Sequence, residues 1–240
     1  MRSARLYTLA VLLAAPLALG ACVSGVNGSV DVPSSTSVTD ASTVNGSVRV
    51  ETNAKADKAS TVNGSIHLAE GAQVGDASTV NGGIKLDERA RAKSISTVNG
   101  GVTLAKGATV SGDVQAVNGS FNLAPGSAVD GSLSNVSSKI SVDGAHVGAG
   151  IATVAGDIEV TGDAVIDGGI KVRKPNGKSS INLFGSNHVP VITIGPGATV
   201  NGPLTFEREV KLYVSDDAHV AGPITGANAV KFSGNEPPAS

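Results

Sequence analysis

The sequence predicts an all-β fold, a single-stranded, three-sided β-helix (solenoid) with about 18 residues per coil. The first observation is the phrase Ser-Thr-Val-Asn-Gly, which occupies 42–46, 60–64, 78–82 and 96–100. The second is a six-residue step between pairs of apolar or small residues, such as Val48/Val50 and Ala54/Ala56. The third is a composition with 31 glycines, 2% aromatic residues and no tryptophan, which favours a core built of many small, similar layers.

The six-residue step describes a short strand followed by a corner. Side chains alternate between the two faces of a strand, so a pair separated by one residue points inward and three residues remain for the corner. Three such steps close a coil of about 18 residues, and successive coils stack about 4.8 Å apart with backbone hydrogen bonds between them. This register also places Ser60/Val62 and Ser78/Val80 in the core.

Two other folds are weighed against the solenoid. A helix fails because the apolar spacing is two and six rather than three and four, and because glycine and β-branched residues are frequent throughout. An antiparallel meander would also use Asn-Gly turns, but it gives no reason for a strict eighteen-residue return, and it stays the alternative. Right-handed winding follows from the general crossover rule, with a left-handed β-helix as the alternative.

The repeated Asn-Gly pair predicts a ladder at one corner of the solenoid. Each asparagine amide is expected to bond to the amides of the coils above and below, and the following glycine to supply a positive φ. This interpretation makes the amides structural, whereas a groove lined by amides that bind a ligand is the alternative. The predicted ladder consists of Asn27, Asn45, Asn63, Asn81, Asn99 and Asn118.

The later half of the chain keeps the step with interruptions. The pairs Phe121/Leu123 and Ile140/Val142 each arrive one residue late. Residues 173–190 break the pattern around a Pro-Asn-Gly turn and are predicted to form a loop insertion. The β-helix domain is therefore expected over 22–234, with a disordered tail at 235–240.

The N-terminal segment, residues 1–21, has the pattern of an export signal. Arginines at positions 2 and 5 precede an apolar stretch over 6–19, and small residues follow. As a membrane span this stretch is shorter than the roughly 20 apolar residues that a bilayer core requires, and Pro16 interrupts it. A retained anchor helix is the alternative.

The tetrad Leu-Gly-Ala-Cys at 19–22 resembles the lipobox of bacterial lipoproteins. The resemblance implies cleavage before Cys22 and acylation of that residue, which is the only cysteine of the chain. Several acyl chains would hold the protein stably on a membrane, whereas one would be marginal. Because Val23 is not the aspartate that favours inner-membrane retention in that family, the expected location is the outer membrane, facing the periplasm or the cell surface. A stray cysteine in an ordinary cleavage region is the alternative.

Four apolar-x-Gly-x-apolar units carry a further resemblance: VSGDV at 110–114, VDGSL at 129–133, VNGPL at 200–204 and VAGPI at 220–224. They look like the units of bactofilins, bacterial polymer-forming proteins with a right-handed, three-sided β-helix. The Asn-Gly-rich half is similar to bacterial β-strand-repeat adhesin domains. The resemblance implies the fold more than the function, and the export leader departs from typical bactofilins, which assemble on the cytoplasmic side.

The sequence offers little support for catalysis. The formal charge of −2 carries no signal for nucleic acid. The four histidines, which show no close metal-ligand spacing, are predicted to be solvated surface residues: His67, His146, His188 and His219. Nucleophile-elbow and Walker motifs are absent, and so are the carboxylate cluster and aromatic platforms of a sugar-active enzyme. We expect no catalytic residue, cofactor or metal site.

These observations predict a non-catalytic, membrane-anchored cell-envelope lipoprotein that acts as a rigid scaffold. The alternative is an adhesion or binding module that presents a solenoid face or loop to an envelope protein or polysaccharide, and a polysaccharide-active enzyme is the third possibility. An open solenoid end recruits another copy unless it is capped. Because the lipid expected on Cys22 would shield the N-terminal end, self-association is expected at the C-terminal end, near Val230 and Phe232.

Overall fold

The protein is a β-solenoid. The structure, a computed structural model, describes residues 22–175 and 188–238. Within them it contains 28 β-strands and no helix, and neighbouring coils pair in parallel. The coils number about eleven, with partners about 18 residues apart, which confirms the predicted fold class.

The first outer wall, named face 1, is an 11-stranded parallel sheet to which each coil contributes one short strand. Its strands are β2 (Val30–Val32), β4 (Val48–Val50), β6 (Ile66–Leu68), β8 (Ile84–Leu86), β10 (Val102–Leu104), β13 (Phe121–Leu123), β16 (Ile140–Asp143), β19 (Ile158–Thr161), β22 (Val191–Ile194), β25 (Lys211–Ser215) and β28 (Ala229–Phe232).

Faces 2 and 3 together form a 17-stranded sheet. The first strand, β1 (Cys22–Asn27), lies on face 3 alone. In the next four coils one strand runs along face 2, bends, and continues along face 3: β3 (Ser37–Asn45), β5 (Lys55–Asn63), β7 (Gln73–Asn81) and β9 (Arg91–Asn99). From the sixth coil onward this strand is divided in two. The face 2 strands are then β11 (Thr109–Val110), β14 (Ala128–Val129), β17 (His146–Val147), β20 (Val165–Ile166), β23 (Thr199–Val200) and β26 (His219–Val220). The face 3 strands are β12 (Val114–Asn118), β15 (Ser132–Ser134), β18 (Gly150–Thr153), β21 (Gly169–Val172), β24 (Leu204–Phe206) and β27 (Ile224–Thr225).

An added residue at the corner between faces 2 and 3 explains the late arrival of Phe121. In the fourth coil the inward residues Val74 and Ala77 on either side of this corner are three positions apart. In the sixth coil the equivalents Val110 and Val114 are four apart, with Gly112 between them. The strand pairing follows this change, because Val102 pairs with Phe121 rather than with the residue before it.

The core is an apolar column inside the three faces. On face 1 the predicted inward pairs are buried, for example Val48/Val50 and Ile66/Leu68, except in the eleventh coil, where Leu212 and Val214 are buried instead of the predicted Val210/Leu212. Face 2 contributes smaller residues, such as Ala72/Val74. The alternation of buried and exposed residues in each short strand follows directly from strand geometry.

In the first five coils the predicted register of face 3 is wrong by one residue. The structure buries Ala59 and Thr61 rather than Ser60 and Val62, and leaves Val62 exposed. A one-residue shift exchanges the two faces of a strand, so every early coil is affected in the same way. The physical reason is hydrogen bonding: the Thr61 hydroxyl donates to the Gly46 carbonyl inside the corner, at 2.8 Å, which valine cannot do.

The reason given for the ladder glycines also requires correction. Gly28 and Gly46 have positive φ, but Gly64, Gly82 and Gly100 do not. A Cβ added at Gly82 would lie 2.0 Å from the carbonyl oxygen of Gly64 in the preceding coil. Glycine is required at this corner because two stacked backbones approach too closely for any side chain.

The left-handed backbone occurs instead at the corner between faces 1 and 2. There the third residue of a β-turn has positive φ, as type II turns require, and the fourth residue donates back to the first, as Ala72 N–H does to the Ala69 carbonyl. The position recurs in most coils: Ser35, Asn53, Gly71, Arg89, Gly107, Gly126, Gly144 and Gly197. In the ninth coil the positive φ is one position earlier, at Gly162.

The solenoid resumes after the predicted loop insertion. Face 3 ends at Val172, and the next strand of face 1 pairs Ile192 with Ile158. Residues 176–187 of the predicted 173–190 loop, the predicted signal at 1–21 and positions 239–240 of the predicted tail lie outside the described residues.

Candidate functional site

The candidate lipidation site is at the start of the solenoid. Cys22 is the first residue of β1, and its side chain is an exposed free thiol. It pairs with Asp40 in the next coil, so the first strand is already part of the stack at this residue. An acyl group on Cys22 would therefore attach directly to the end of the rod, without an intervening linker.

The asparagine ladder is continuous along the corner between faces 3 and 1. Each side-chain Nδ2 donates to the Oδ1 of the preceding coil, and the distances from Asn45 to Asn118 run from 2.9 to 3.1 Å. The Ser137 hydroxyl extends the series by donating to Asn118 at 2.9 Å. Each amide within the row donates one hydrogen bond and accepts one from its neighbours, so the row supports the corner at every coil.

A row of threonine hydroxyls stabilises the same corner from the inside. Thr79 donates to the Gly64 carbonyl at 2.9 Å, and its equivalents in neighbouring coils do the same. In the seventh coil the buried Asn135 takes this position and donates to the Gly119 and Ser138 carbonyls. The inner and outer hydrogen bonds together fix which side chains of face 3 point to solvent.

The sequence prediction had placed the face 3 valines of the first five coils in the core, whereas the structure shows a stripe of outward valines on this face. Five of them, Val44, Val62, Val80, Val98 and Val117, expose 38–42% of their surface, and Val26 at the end exposes 67%. The stripe continues through the half-buried Val136 and Val154. We call these eight residues the valine stripe.

The valine stripe lies between two uncharged polar rows. On one side are Ser24, Ser42, Ser60, Ser78, Ser96, Gln115, Ser134 and Ala152, and on the other are the asparagine ladder, Ser137 and Ala155. None of these positions carries a charge, although 16% of the chain is charged. Charges begin beyond the rows, at Asp40, Lys58 and Asp76 along the edge and at Lys171 and Arg173 in the ninth coil.

A shallow groove of about 250 Å³ lies along the later part of this face. It is lined by Gln115, Val117, Val136 and Val154 among others, and it ends at Arg173. Face 3 therefore has a shallow depression in its later coils.

Face 1 differs in that its outward row is charged. Arg49 Nη1 lies 2.8 Å from Nδ1 of His67, whose Nε2 lies 2.6 Å from Oδ2 of Asp87. A guanidinium cannot accept a hydrogen bond, so Nδ1 must accept and Nε2–H must donate. Lys85 also contacts Asp87, at 2.8 Å. Partial burial raises the pKa of Asp87, but the hydrogen bonds from Lys85 and His67 outweigh it, and the net pKa is below the ordinary value.

These charged residues border an open groove of about 710 Å³. Ser29, Ser47 and Ser65 form its second row of polar side chains, and Gly83 and Gly101 widen it by having no side chain. The groove also includes Asp31, and its cations have carboxylate partners, Arg49 with Glu51 and Lys85 with Asp87, so both signs of charge lie along this wall.

Two of the other histidines also contact carboxylates of neighbouring coils. His146 Nε2 lies 2.7 Å from Asp167, and His188 Nε2 lies 2.8 Å from Asp157. Hydrogen bonds from His146 and Asn201 lower the pKa of Asp167. The sequence prediction treated these histidines as solvated residues and missed the pairs, because each partner lies about one coil or more away in the chain.

Among residues 22–175 and 188–238, no group of three or more His, Cys, Asp or Glu side chains is placed to hold a metal ion. The same part of the chain has no helix of the length and apolarity needed to span a bilayer. Comparison with known families, curated proteins and solved structures finds no match for the chain. Function must be argued from the faces themselves.

The predicted association residues lie in the last coil but are unequally available. Val230 exposes 50% of its surface, whereas Phe232 exposes 6% and is already packed within the chain. Lys231 occupies the register position of the buried Val214. A charge at an inward position is a known way of discouraging the addition of another strand layer.

Proposed function

We propose that the protein is a non-catalytic envelope lipoprotein in which a rigid β-solenoid is held on the outer membrane by acyl chains on Cys22. The observation that supports this most is the position of the thiol. Cys22 is exposed, is the single cysteine and begins the first strand of the stack. The preceding residues have the pattern of an export leader with a lipobox-like tetrad.

The solenoid suits a scaffold because its rigidity is distributed along its length. Each coil contacts only its neighbours, and backbone bonds, the asparagine ladder and the apolar column repeat at every step. Eleven coils at about 4.8 Å give a rod of about 50 Å. A rod of this kind holds whatever surface it carries at a fixed distance from the membrane.

Membrane fractionation tests the anchor. The full chain and a Cys22→Ser variant are expressed in a bacterium that processes lipoproteins, with Ser24→Ala as the matched control in the same strand. The parent and Ser24→Ala are expected in the membrane fraction, with an acyl mass on Cys22, and Cys22→Ser in the soluble fraction. Membrane association of Cys22→Ser, together with an unmodified cysteine in the parent, would contradict the proposal.

A binding module is the second candidate function, and the groove on face 1 favours it. Arg49, His67 and Lys85 stand in register there beside serine hydroxyls. The proposed ligand class is a carboxylated polysaccharide, whose carboxylates would contact Arg49 and Lys85 in exchange for their present partners Glu51 and Asp87.

Binding of polygalacturonate, with dextran as the uncharged control, tests this candidate. The doubly substituted Arg49→Ala/Lys85→Ala protein should bind polygalacturonate at least about tenfold more weakly than the parent, since two of the cations are lost. Equal binding by both proteins, or equal binding of dextran, would dismiss the groove as a site.

A further inference from the structure

The valine stripe requires an explanation that solenoid stability alone does not provide. A single exposed valine on a strand is ordinary. Here eight stand in register, and the same early coils place charged residues at the outward positions of the other faces: Arg49 and Lys85 on face 1, and Lys55 and Arg91 on face 2. Charge is thus excluded from one face, while β-propensity acts equally on all three.

The arrangement matches the anatomy of a protein interface. Interface centres are depleted in charged residues and are enclosed by a polar rim. The valine stripe forms an apolar centre, the serine row and asparagine ladder flank it, and Asp40, Lys58 and Asp76 lie at the edge.

We infer that the partner is a second copy of this chain, packed face to face through the valine stripe. Two observations favour a copy over another partner. The surface is uncharged and repeats at the coil spacing, so it opposes itself without repulsion and with valines that can interdigitate. The same face exposes Val44 and Val62 and has a groove at Val136 and Val154, so exposed valines of one copy can enter the groove of the other.

The area fits a weak dimer. Eight coils at about 4.8 Å and four strand residues at about 3.3 Å give a strip of roughly 500 Å² per copy, or about 1,000 Å² in total. That is at the lower limit for a specific interface, so a weak, reversible dimer is expected. The inference does not depend on the lipid anchor, because the stripe is present whether or not Cys22 is acylated.

Thiol cross-linking of the full chain tests the dimer. All variants carry Cys22→Ser, so the introduced cysteine is the only thiol. Val80 is central in the stripe and lies near a two-fold axis whether the copies run parallel or antiparallel. Thr103→Cys, at an exposed outward position of face 1, is the matched control. With a short bismaleimide, Val80→Cys should form covalent dimer several-fold faster than Thr103→Cys.

Sedimentation equilibrium of the Cys22→Ser chain supplies the second measurement. Val80→Asp should raise the dissociation constant at least about tenfold because a charge is buried at the centre of the interface, whereas Thr103→Asp should leave it unchanged. Equal cross-linking at positions 80 and 103, or a dissociation constant unaffected by Val80→Asp, would overturn the inference. Long filaments that persist with Val80→Asp would indicate assembly through the solenoid ends instead.

Discussion

Two glycines that look alike in the sequence should respond very differently to the same substitution, Gly→Ala. At Gly82 the backbone conformation suits any residue, but an added Cβ would lie 2.0 Å from the Gly64 oxygen and 2.5 Å from its carbon. At Gly126 nothing lies within 4 Å of an added Cβ, but φ is +76°. The first substitution creates a clash between coils, and the second creates local backbone strain alone.

The expected losses in the free energy of unfolding follow from the contacts that each substitution disrupts. Relief of the clash at Gly82 separates two coils and weakens the bonds from Thr79 to Gly64 and from Asn81 to Asn63. Overpacking at about 1–3 kcal/mol and two hydrogen bonds at about 1 kcal/mol each give a loss of roughly 3–5 kcal/mol in the free energy of unfolding. Alanine held in the left-handed backbone conformation at position 126 reduces the free energy of unfolding by about 1 kcal/mol.

Thermal unfolding followed by circular dichroism separates the two cases. At roughly 2–4 °C per kcal/mol for a chain of this size, Gly82→Ala should lower the melting temperature by about 6–20 °C and Gly126→Ala by about 2–4 °C. A Gly82→Ala protein that melts no lower than Gly126→Ala would refute the close stacking of backbones at the asparagine corner.

Three further substitutions test other parts of the account. Asn81→Ala removes two ladder bonds and should reduce the free energy of unfolding by about 1–2 kcal/mol, against about half of that for Asn27→Ala at the ladder end; equal losses in urea titrations would contradict a continuous ladder. Thr79→Val should reduce the free energy of unfolding by about 1–3 kcal/mol, because the Gly64 carbonyl loses its hydroxyl donor. Thr103→Val, on the outside of face 1, should leave the free energy of unfolding unchanged. A Thr79→Val protein as stable as the parent would count against the inward threonines. The Ser132 N–H and hydroxyl lower the pKa of Asp113, so this carboxylate stabilises the fold above its unfolded pKa of about 3.9, and the contribution is lost as pH falls through the lower folded value. The difference in melting temperature between the parent and Asp113→Asn should therefore shrink below about pH 4, and a constant difference would refute the assignment.

The fold class could be predicted from the sequence because the same local sequence pattern is repeated in many coils. An eighteen-residue return of Asn-Gly and a six-residue apolar step are explained together by stacked three-sided coils, and most of the predicted inward pairs of faces 1 and 2 are buried. Even the late arrival of Phe121 was visible, although its cause, an added corner residue beside Gly112, required the structure.

Face 3 could not be predicted from hydrophobicity because a hydrogen bond decides its register. In Ser-Thr-Val-Asn-Gly the valine is the more apolar residue, yet the threonine hydroxyl satisfies a glycine carbonyl inside the corner and the valine turns outward. A uniform six-residue step also assumed equal corners, whereas the corner after Val74 is short and the corner after Thr79 is long.

The left-handed corner and the histidine–aspartate pairs are indicated by the sequence only in part or not at all. The left-handed corner is indicated by Gly71, Gly107 and Gly126, whose separations are close to multiples of eighteen residues. The pattern is hidden because Asn53 and Arg89 occupy the same position in other coils. The pairs between His67 and Asp87 and between His146 and Asp167 cross between coils, where no local spacing indicates them.

The most direct test of the account is the reactivity of thiols at adjacent positions of face 3. Thr61→Cys and Val62→Cys are prepared in the Cys22→Ser chain and labelled with a maleimide under native conditions. Because Thr61 is 5% exposed and Val62 is 40% exposed, Val62→Cys should react rapidly and Thr61→Cys should be protected until the protein is unfolded. Rapid labelling of Thr61→Cys with protection of Val62→Cys would restore the opposite register and contradict the valine stripe and the dimer inferred from it.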